Sequence, residues 1–306
     1  MRNRLAVEIA ELKLPNPTML AAGILGMTGA SLKEAINCGA GAVVTKSVGL
    51  KPREGYPNPT VAQVACGLLN AMGLPNPGID EFEEEIKEVK ENEIGIPLIV
   101  SIYGFSTLEF VKVAKVASKA GADALELNVS CPHVKETGAE IGQNPGLVAE
   151  VVREVKRNVE KPVFVKLTPN VADIVGVAKA AVEAGADALT AINTVRAMAI
   201  EVETTRPILA NKIGGLSGPA VKPIAVRCVY EIYREVDVPI VGCGGITSWR
   251  DAVEFMLAGA SAVQIGTAIA TKGLGVFKSV TRGIDIYLKR KGFRSVKEIV
   301  GLSHRG

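Results

Sequence analysis

Short apolar runs recur along the chain at 18–21, 42–46, 98–103, 124–129, 163–167, 188–192, 239–243 and 262–266. They do not alternate apolar with polar residues, which is the pattern of strands buried on both faces of a parallel sheet. Between them lie amphipathic stretches, among them Thr107–Ala120, Pro145–Val159, Val171–Ala184 and Ala220–Val236, long enough to be crossover helices of βαβ units. Four related segments, Cys38-Gly-Ala-Gly-Ala-Val43, Ala120-Gly-Ala-Asp-Ala-Leu125, Ala184-Gly-Ala-Asp-Ala-Leu189 and Ala258-Gly-Ala-Ser-Ala-Val263, read as helix C-termini entering strands. Pro97, Pro162 and Pro239 open three other runs, at positions that need no ladder donor. Eight strand–helix alternations predict an α/β fold, a closed (β/α)8 TIM barrel, as one domain over 1–306. An open doubly wound sheet is the alternative, but no Gly-x-Gly-x-x-Gly follows the first strand.

Two connections exceed what a barrel needs: 48–78, rich in Gly, Pro and Asn, and 194–219, which contains Gly214-Gly215-Leu216-Ser217-Gly218. Both follow the C-terminal end of a strand, the face on which such barrels carry their active sites, so they are expected to be lids or substrate walls.

Composition narrows the partners. The 306 residues are 48% hydrophobic, enough for a sizeable core, and 35 basic against 32 acidic residues leave a net charge of +3 with no long basic run. A small molecule is therefore expected, not nucleic acid or a membrane. Met1-Arg2-Asn3-Arg4-Leu5 leads to Glu8 and Glu11 without an apolar core of the signal-peptide kind, and no stretch of about 18 apolar residues follows. A cytoplasmic protein is expected. Five cysteines (38, 66, 131, 228 and 243) form no Cys-x-x-Cys pair, and the only histidines are 133 and 304, so neither a metal site nor a disulfide framework is expected. Cys38, Cys228 and Cys243 fall in helix or strand patterns and read as core; His304, in a charged tail, reads as solvent-facing.

The strand ends carry the chemistry. Gly242-Cys243-Gly244-Gly245-Ile246 and Gln264-Ile265-Gly266-Thr267-Ala268 close the seventh and eighth strands ahead of helices. Paired glycine turns there can present backbone N–H groups to a phosphate. Lys46, Ser101, Asn128, Lys166, Asn193 and Thr194 sit at other strand ends; the two lysines need an anion or an electron-rich ring beside them. Cys131, in Asn128-Val129-Ser130-Cys131-Pro132-His133, leaves its strand before a proline, which favours projection into the mouth. Near a lysine its thiol can act as a base or as a nucleophile, and His133 is the other candidate base.

Taken together, these residues resemble the class 1 dihydroorotate dehydrogenases, flavin mononucleotide (FMN) barrels of pyrimidine biosynthesis. The resemblance runs nearly end to end and rests on Asn16-Pro17-Thr18, Ala22-Gly23, Thr45-Lys46-Ser47, Asn70-Ala71-Met72-Gly73-Leu74-Pro75-Asn76, Asn128-Val129-Ser130-Cys131-Pro132, Lys166-Leu167-Thr168-Pro169-Asn170, Asn193-Thr194, Gly214-Gly215-Leu216-Ser217-Gly218 and the two glycine turns. It implies Cys131 as the general base that takes a proton from C5 of dihydroorotate while hydride leaves C6 for the flavin. It implies FMN contacts at Ala22, Lys46, Ser47, Ser101, Asn128, Lys166, Ile192, Gly218, Gly244, Gly245, Gly266 and Thr267. Substrate contacts are implied at Lys46, Asn70, Ala71, Met72, Gly73, Leu74, Asn128, Asn193 and Thr194. Cysteine at 131 without an N-terminal extension is similar to class 1; the Gly-Gly-Leu-Ser-Gly run and Lys46-Ser47 resemble subclass 1B. That subclass implies a homodimer assembled with an FAD and [2Fe–2S] subunit that passes electrons to NAD⁺. The chain departs from the family at Ser101 and His133, where asparagine is usual. Competing readings are a fumarate-dependent 1A enzyme, a non-redox isomerase or lyase with a Lys166 Schiff base, and an electron-transfer subunit whose barrel only docks a partner.

Overall fold

The computed structural model describes residues 3–91, 95–130 and 141–305. Eight parallel strands close a barrel in sequential order: β1 (Thr18–Leu20), β2 (Ala42–Val44), β3 (Leu98–Ile102), β4 (Ala124–Asn128), β5 (Val163–Leu167), β6 (Ala188–Ala191), β7 (Ile240–Cys243) and β8 (Ala260–Ile265). Seven of the eight apolar runs hold one of them whole, and the last, 262–266, overlaps β8, which starts two residues earlier. The principal helices outside are α1 (Gly29–Asn37), α2 (Ile79–Lys90), α3 (Thr107–Ala120), α4 (Pro145–Asn158), α5 (Ile174–Glu183), α6 (Lys222–Tyr233), α7 (Trp249–Ala258) and α8 (Val276–Lys291).

The repeated Gly-Ala segments have one structural cause. Gly39, Gly121, Gly185 and Gly259 all have positive φ, between 100° and 126°, which ends the helix and turns the chain into the next strand. In the two Gly-Ala-Asp copies the aspartate completes the turn. Asp123 accepts from Leu98 N at 2.7 Å and Lys90 Nζ at 2.8 Å; Asp187 accepts from Val163 N at 2.7 Å and Lys156 Nζ at 2.7 Å. Each aspartate thus ties the start of its own strand to the start of the preceding one and to the helix that leads into that preceding strand. Helix starts are capped by side chains in the same orderly way: Ser106 for α3, Asn144 with Pro145 for α4, Asp173 for α5 and Ser248 for α7.

The N-terminal hairpin, Val7–Ile9 with Leu12–Leu14, alternates apolar and charged residues over only three positions per strand, and closes the lower end of the barrel. Ile9 and Leu14 pack among Met19, Ile99, Phe164 and Val241, so the lower interior is solid hydrocarbon. At the opposite end, the two long connections pair with each other. Strands Val195–Met198, Ile213–Ser217, Gly67–Asn70 and Val61–Val64 form one antiparallel sheet, with Gly215 opposite Asn70. A Cβ on Gly215 would run into the Thr194 side chain, so the glycine lets this sheet close down on the strand end. Among the described residues no helix is long and apolar enough to cross a membrane.

Candidate active site

Above the apolar plug the interior changes character. Side chains two apart on a strand share a face, and on β4 this places Ala124 in the plug, Glu126 one layer up and Asn128 at the mouth. Glu126 is fully buried, as are Thr190 and, very nearly, Gln264 and Lys166. Glu126 Oε2 accepts from Gln264 Nε2 at 2.6 Å and from Thr190 Oγ1 at 2.9 Å; its Oε1 lies 3.4 Å from Lys166 Nζ, which also donates to Gln264 Oε1 at 3.0 Å. Burial works against the charge on Lys166, but the attraction of Glu126 outweighs it and holds the ammonium above the usual lysine range. The anion that Lys166 required is therefore internal. Glu126 was detectable in the sequence as a lone carboxylate inside Leu125-Glu126-Leu127, a run in which an unpaired charge would be prohibitive.

Over this layer opens a cavity of about 1180 Å³ whose walls include Lys46, Lys166, Gln264 and Cys243. Lys46 is half-buried with no ion pair to a described residue, and burial lowers its pKa. The two lysines of the mouth are thus electrostatically opposite. Cys243 is half-buried and faces the cavity, which corrects its reading as core; burial pushes its thiol up, partly offset by Lys166. Cys38 is half-buried at the end of α1, again not core, whereas Cys228 is buried in α6.

One wall is a chain of amides and hydroxyls. Asn193 Nδ2 donates to Asn128 Oδ1 at 3.3 Å, Asn128 Nδ2 donates to Ser47 Oγ at 3.0 Å, and Ser47 Oγ is 2.9 Å from Ser101 Oγ. Ser47, Asn128, Asn193 and Thr194 line the cavity; Ser101 does not, being fully buried behind Ser47. Asn170, another residue of the wall, donates to Thr168 Oγ1 and to the Thr194 carbonyl at 3.0 and 3.1 Å, fixing the loop after β6.

A second wall comes from the long connections. Asn70, Ala71, Met72, Gly73 and Leu74 all line the cavity, and Asn70 Nδ2 reaches Gly215 O at 3.3 Å. Leu74 has φ 59°, and the tight turn is held by Tyr56 N on Met72 O at 3.0 Å and Arg53 Nε on Gly73 O at 3.3 Å. Arg53, Tyr56, Phe105 and Arg196 join this rim; none was legible in the sequence, because the first three lie in loops and Arg196 on a short strand inside a long connection, all without a periodic signal.

The third wall is the pair of glycine turns with Ala22, Ile192 and Gly218. Gly245 has φ 72°, and a Cβ there would sit 2.7 Å from Gly218 O. Backbone N–H groups of Gly245, Gly266 and Thr267 donate to no described residue. Thr267 Oγ1 donates to Ser217 Oγ at 2.8 Å, joining the eighth-strand turn to the sheet over the mouth. Cys131, Pro132 and His133 lie outside the described residues. His304 is not solvent-facing as expected: it stacks on Tyr230 with ring centroids 3.9 Å apart, and its Nε2 lies 3.0 Å from Ala258 O. Among the described residues no group of three or more His, Cys, Asp or Glu is placed to hold a metal ion.

A (β/α)8 barrel with free amides in the turns after β7 and β8, a buried cation at its centre and a wall of amide side chains defines a small-molecule enzyme with an anion-holding site. The family model described as dihydroorotate dehydrogenase matches residues 4–288, and the chain belongs to that family. Relatives named dihydroorotate dehydrogenase B (NAD(+)), catalytic subunit, cover almost all of it. The protein from Methanosarcina mazei is 52% identical over 99% of this chain and 96% of its own length. That from Pyrococcus abyssi is 53% identical over 98% and 99%, and that from Methanocaldococcus jannaschii 51% identical over 98% and 98%.

Proposed function

We propose that this chain is the FMN-bearing catalytic subunit of a subclass 1B dihydroorotate dehydrogenase, oxidising (S)-dihydroorotate to orotate for pyrimidine biosynthesis, with 1–306 acting as one domain in the cytoplasm. The observation that carries the reading is the meeting, in one cavity, of free backbone donors at Gly245, Gly266 and Thr267 with the Lys166 ammonium and the amide row Asn70, Asn128 and Asn193.

The residues fit FMN. Three free amides beside Gly218 and Gly244 suit a phosphate, in turns so close that a side chain at 245 would collide with Gly218 O and Lys222. FMN, when bound, would accept the hydride, and with it both electrons of the oxidation. Lys166, kept protonated by Glu126, stabilises negative charge gathered there, with Ala22, Lys46, Ser47, Asn128 and Ile192 as further walls. Amide groups of Asn70, Asn128 and Asn193 present donors and acceptors to the edge of a planar pyrimidine, and Thr194 and the 71–74 turn complete the pocket. Cys131 takes the C5 proton. Its assignment rests on its motif beside Asn128 and Ser130, both of which line the cavity.

Lys166 is poorly suited to the Schiff-base alternative, because an ammonium held by a buried carboxylate is not a free amine. Electrons are proposed to leave through a partner subunit carrying FAD and [2Fe–2S] to NAD⁺, from a homodimer of this chain; the relatives' names, with NAD(+) and catalytic subunit, favour this over fumarate.

Anaerobic addition of dihydroorotate to the purified chain tests the reading. A flavin spectrum that bleaches supports it; a colourless protein that rebinds no FMN overturns it. Rapid turnover with fumarate by the chain alone would replace subclass 1B with 1A, and reduction of NAD⁺ only with a co-purified iron–sulfur flavoprotein supports 1B.

A further inference from the structure

The layer beneath the cavity holds more polar order than one lysine needs to be soluble in the fold. Four side chains, from β4, β5, β6 and β8, close a network in which every partner is specified: Glu126 carboxylate oxygens take Lys166, Gln264 and Thr190, and Gln264 is turned so that its amide nitrogen meets the carboxylate and its oxygen meets the ammonium. Lys166 carries three N–H donors, and two are committed to Glu126 and Gln264. With the ammonium on the cavity wall, the remaining donor is available to whatever the cavity holds. Such a network costs desolvation that a hydrocarbon core would avoid. Plain packing does not account for it.

We propose that Glu126, anchored by Thr190 and Gln264, is a positioning residue that keeps Lys166 protonated and aimed into the cavity, and so sets how much more tightly the site binds reduced than oxidised FMN. This rests on the FMN reading above. Glu126 lies one layer below the mouth, and Lys166 is its route of action. The charged and titratable groups facing Lys166 are Glu126 on β4, Cys243 on β7 and, across the cavity, Lys46 after β2. Of these only Glu126 is a hydrogen-bonded counter-ion. Cys243 has its thiol pushed up by burial, and Lys46 lines the same cavity as a second cation.

The sign follows from charge balance. With Glu126 present, Lys166 stays protonated across the working range, and its contribution to the reduced-over-oxidised binding ratio does not change with pH. Glu126→Gln leaves a buried ammonium without a counter-ion, so burial now draws its pKa down. At low pH the uncompensated cation binds reduced FMN at least as well as before. As pH rises through the new lysine pKa that advantage is lost. The expected result, from reduction titrations of the FMN-loaded protein between about pH 6 and pH 9, below the ordinary lysine range, is a binding ratio that falls roughly tenfold more than in the wild type. For a two-electron couple, tenfold is a shift of about 30 mV in midpoint potential.

Glu126→Gln with Lys166→Met removes both charges together. It is expected to bind oxidised FMN, to have a midpoint below that of the wild type, and to lose the extra pH dependence. A single variant whose potential tracks the wild type at every pH overturns the proposal, as does equal weakening of both oxidation states, which is what a merely structural role predicts. Should Glu126→Gln fail to fold, the double variant decides: a wild-type midpoint overturns the proposal and a lowered one supports it. Failure of the FMN reading is distinct, because the wild-type chain would then bind no FMN at all.

Discussion

Ser101 stands directly behind Ser47, hydroxyl to hydroxyl at 2.9 Å, and only Ser47 reaches the cavity. Ser101 is therefore a support for the Ser47–Asn128 link, not a wall. Its own amide is fixed by Thr45 Oγ1 at 3.0 Å. Ser101→Ala is expected to cost about 1 kcal/mol of stability, the net worth of one hydrogen bond, with FMN affinity nearly unchanged. Ser47→Ala should weaken FMN or substrate by roughly fivefold, for the same loss of about 1 kcal/mol at a contact surface. Urea midpoints and FMN titration of the two variants check this. A larger loss of FMN from Ser101→Ala than from Ser47→Ala would contradict the geometry.

The two glycine turns are expected to respond differently to one added methyl. At Gly245, φ 72° and a Cβ contact of 2.7 Å to Gly218 O combine backbone strain with a clash against main chain. Gly245→Ala should therefore lose both stability, by about 1–3 kcal/mol, and FMN. Gly266 has an ordinary φ, and its Cβ would meet only the Ala21 methyl at 3.3 Å while facing the cavity. Gly266→Ala is expected to fold within about 1 kcal/mol of the wild type yet to bind FMN at least tenfold more weakly. Thermal melts with and without FMN separate the two effects.

The barrel was legible because each strand is a predominantly apolar run and α1, α3, α5 and α7 run into a glycine that the turn demands. Chemistry at the strand ends was legible for the same reason: Lys46, Asn128 and Lys166 interrupt apolar runs where burial alone would forbid them. Cys243 obeyed the same apolar pattern and so read as core, although it ends β7 on the cavity wall. What escaped were relationships between distant segments. Nothing local shows that Gly67–Asn70 pairs with Ile213–Ser217, since the register depends on a glycine at 215 being able to pass Thr194. The ring of Glu126, Lys166 and Gln264 likewise joins residues up to 138 positions apart. His304 was misread because a charged tail hides a ring that stacks on Tyr230.

Asp251 makes the start of α7 sensitive to acid. Burial raises its pKa, but Lys222 at 2.9 Å and hydrogen bonds from Thr247 and Ser248 outweigh that and pull it to about 2. A carboxylate whose folded pKa is depressed contributes stability that is complete above its unfolded value, near 4, and is lost as pH falls through the folded value. The contribution is on the order of 2 kcal/mol. Asp251→Asn should lower stability at neutral pH by a similar amount and flatten its fall between about pH 4 and pH 2. Because α7 follows the Gly244-Gly245 turn, FMN affinity should fall as well. Urea unfolding at a series of pH values, repeated with FMN, tests both parts; an unchanged acid limb would refute the assignment.

Cys131 has proton transfer, not cofactor binding, as its proposed task. Removing a general base costs about 10²–10⁴ in rate, so Cys131→Ala should retain the flavin spectrum and oxidised-FMN affinity while its bleaching by dihydroorotate slows by that factor. Cys131→Ser retains a group that can carry the proton, but serine ionises far less readily than a thiol. Its rate should lie between the other two and rise with pH over a range where the wild type has levelled off. Rapid mixing under anaerobic conditions, with bleaching followed at several pH values, gives both results. Wild-type bleaching rates in Cys131→Ala would move the base elsewhere in the cavity, and Lys46, whose pKa burial lowers, would be the next group to test.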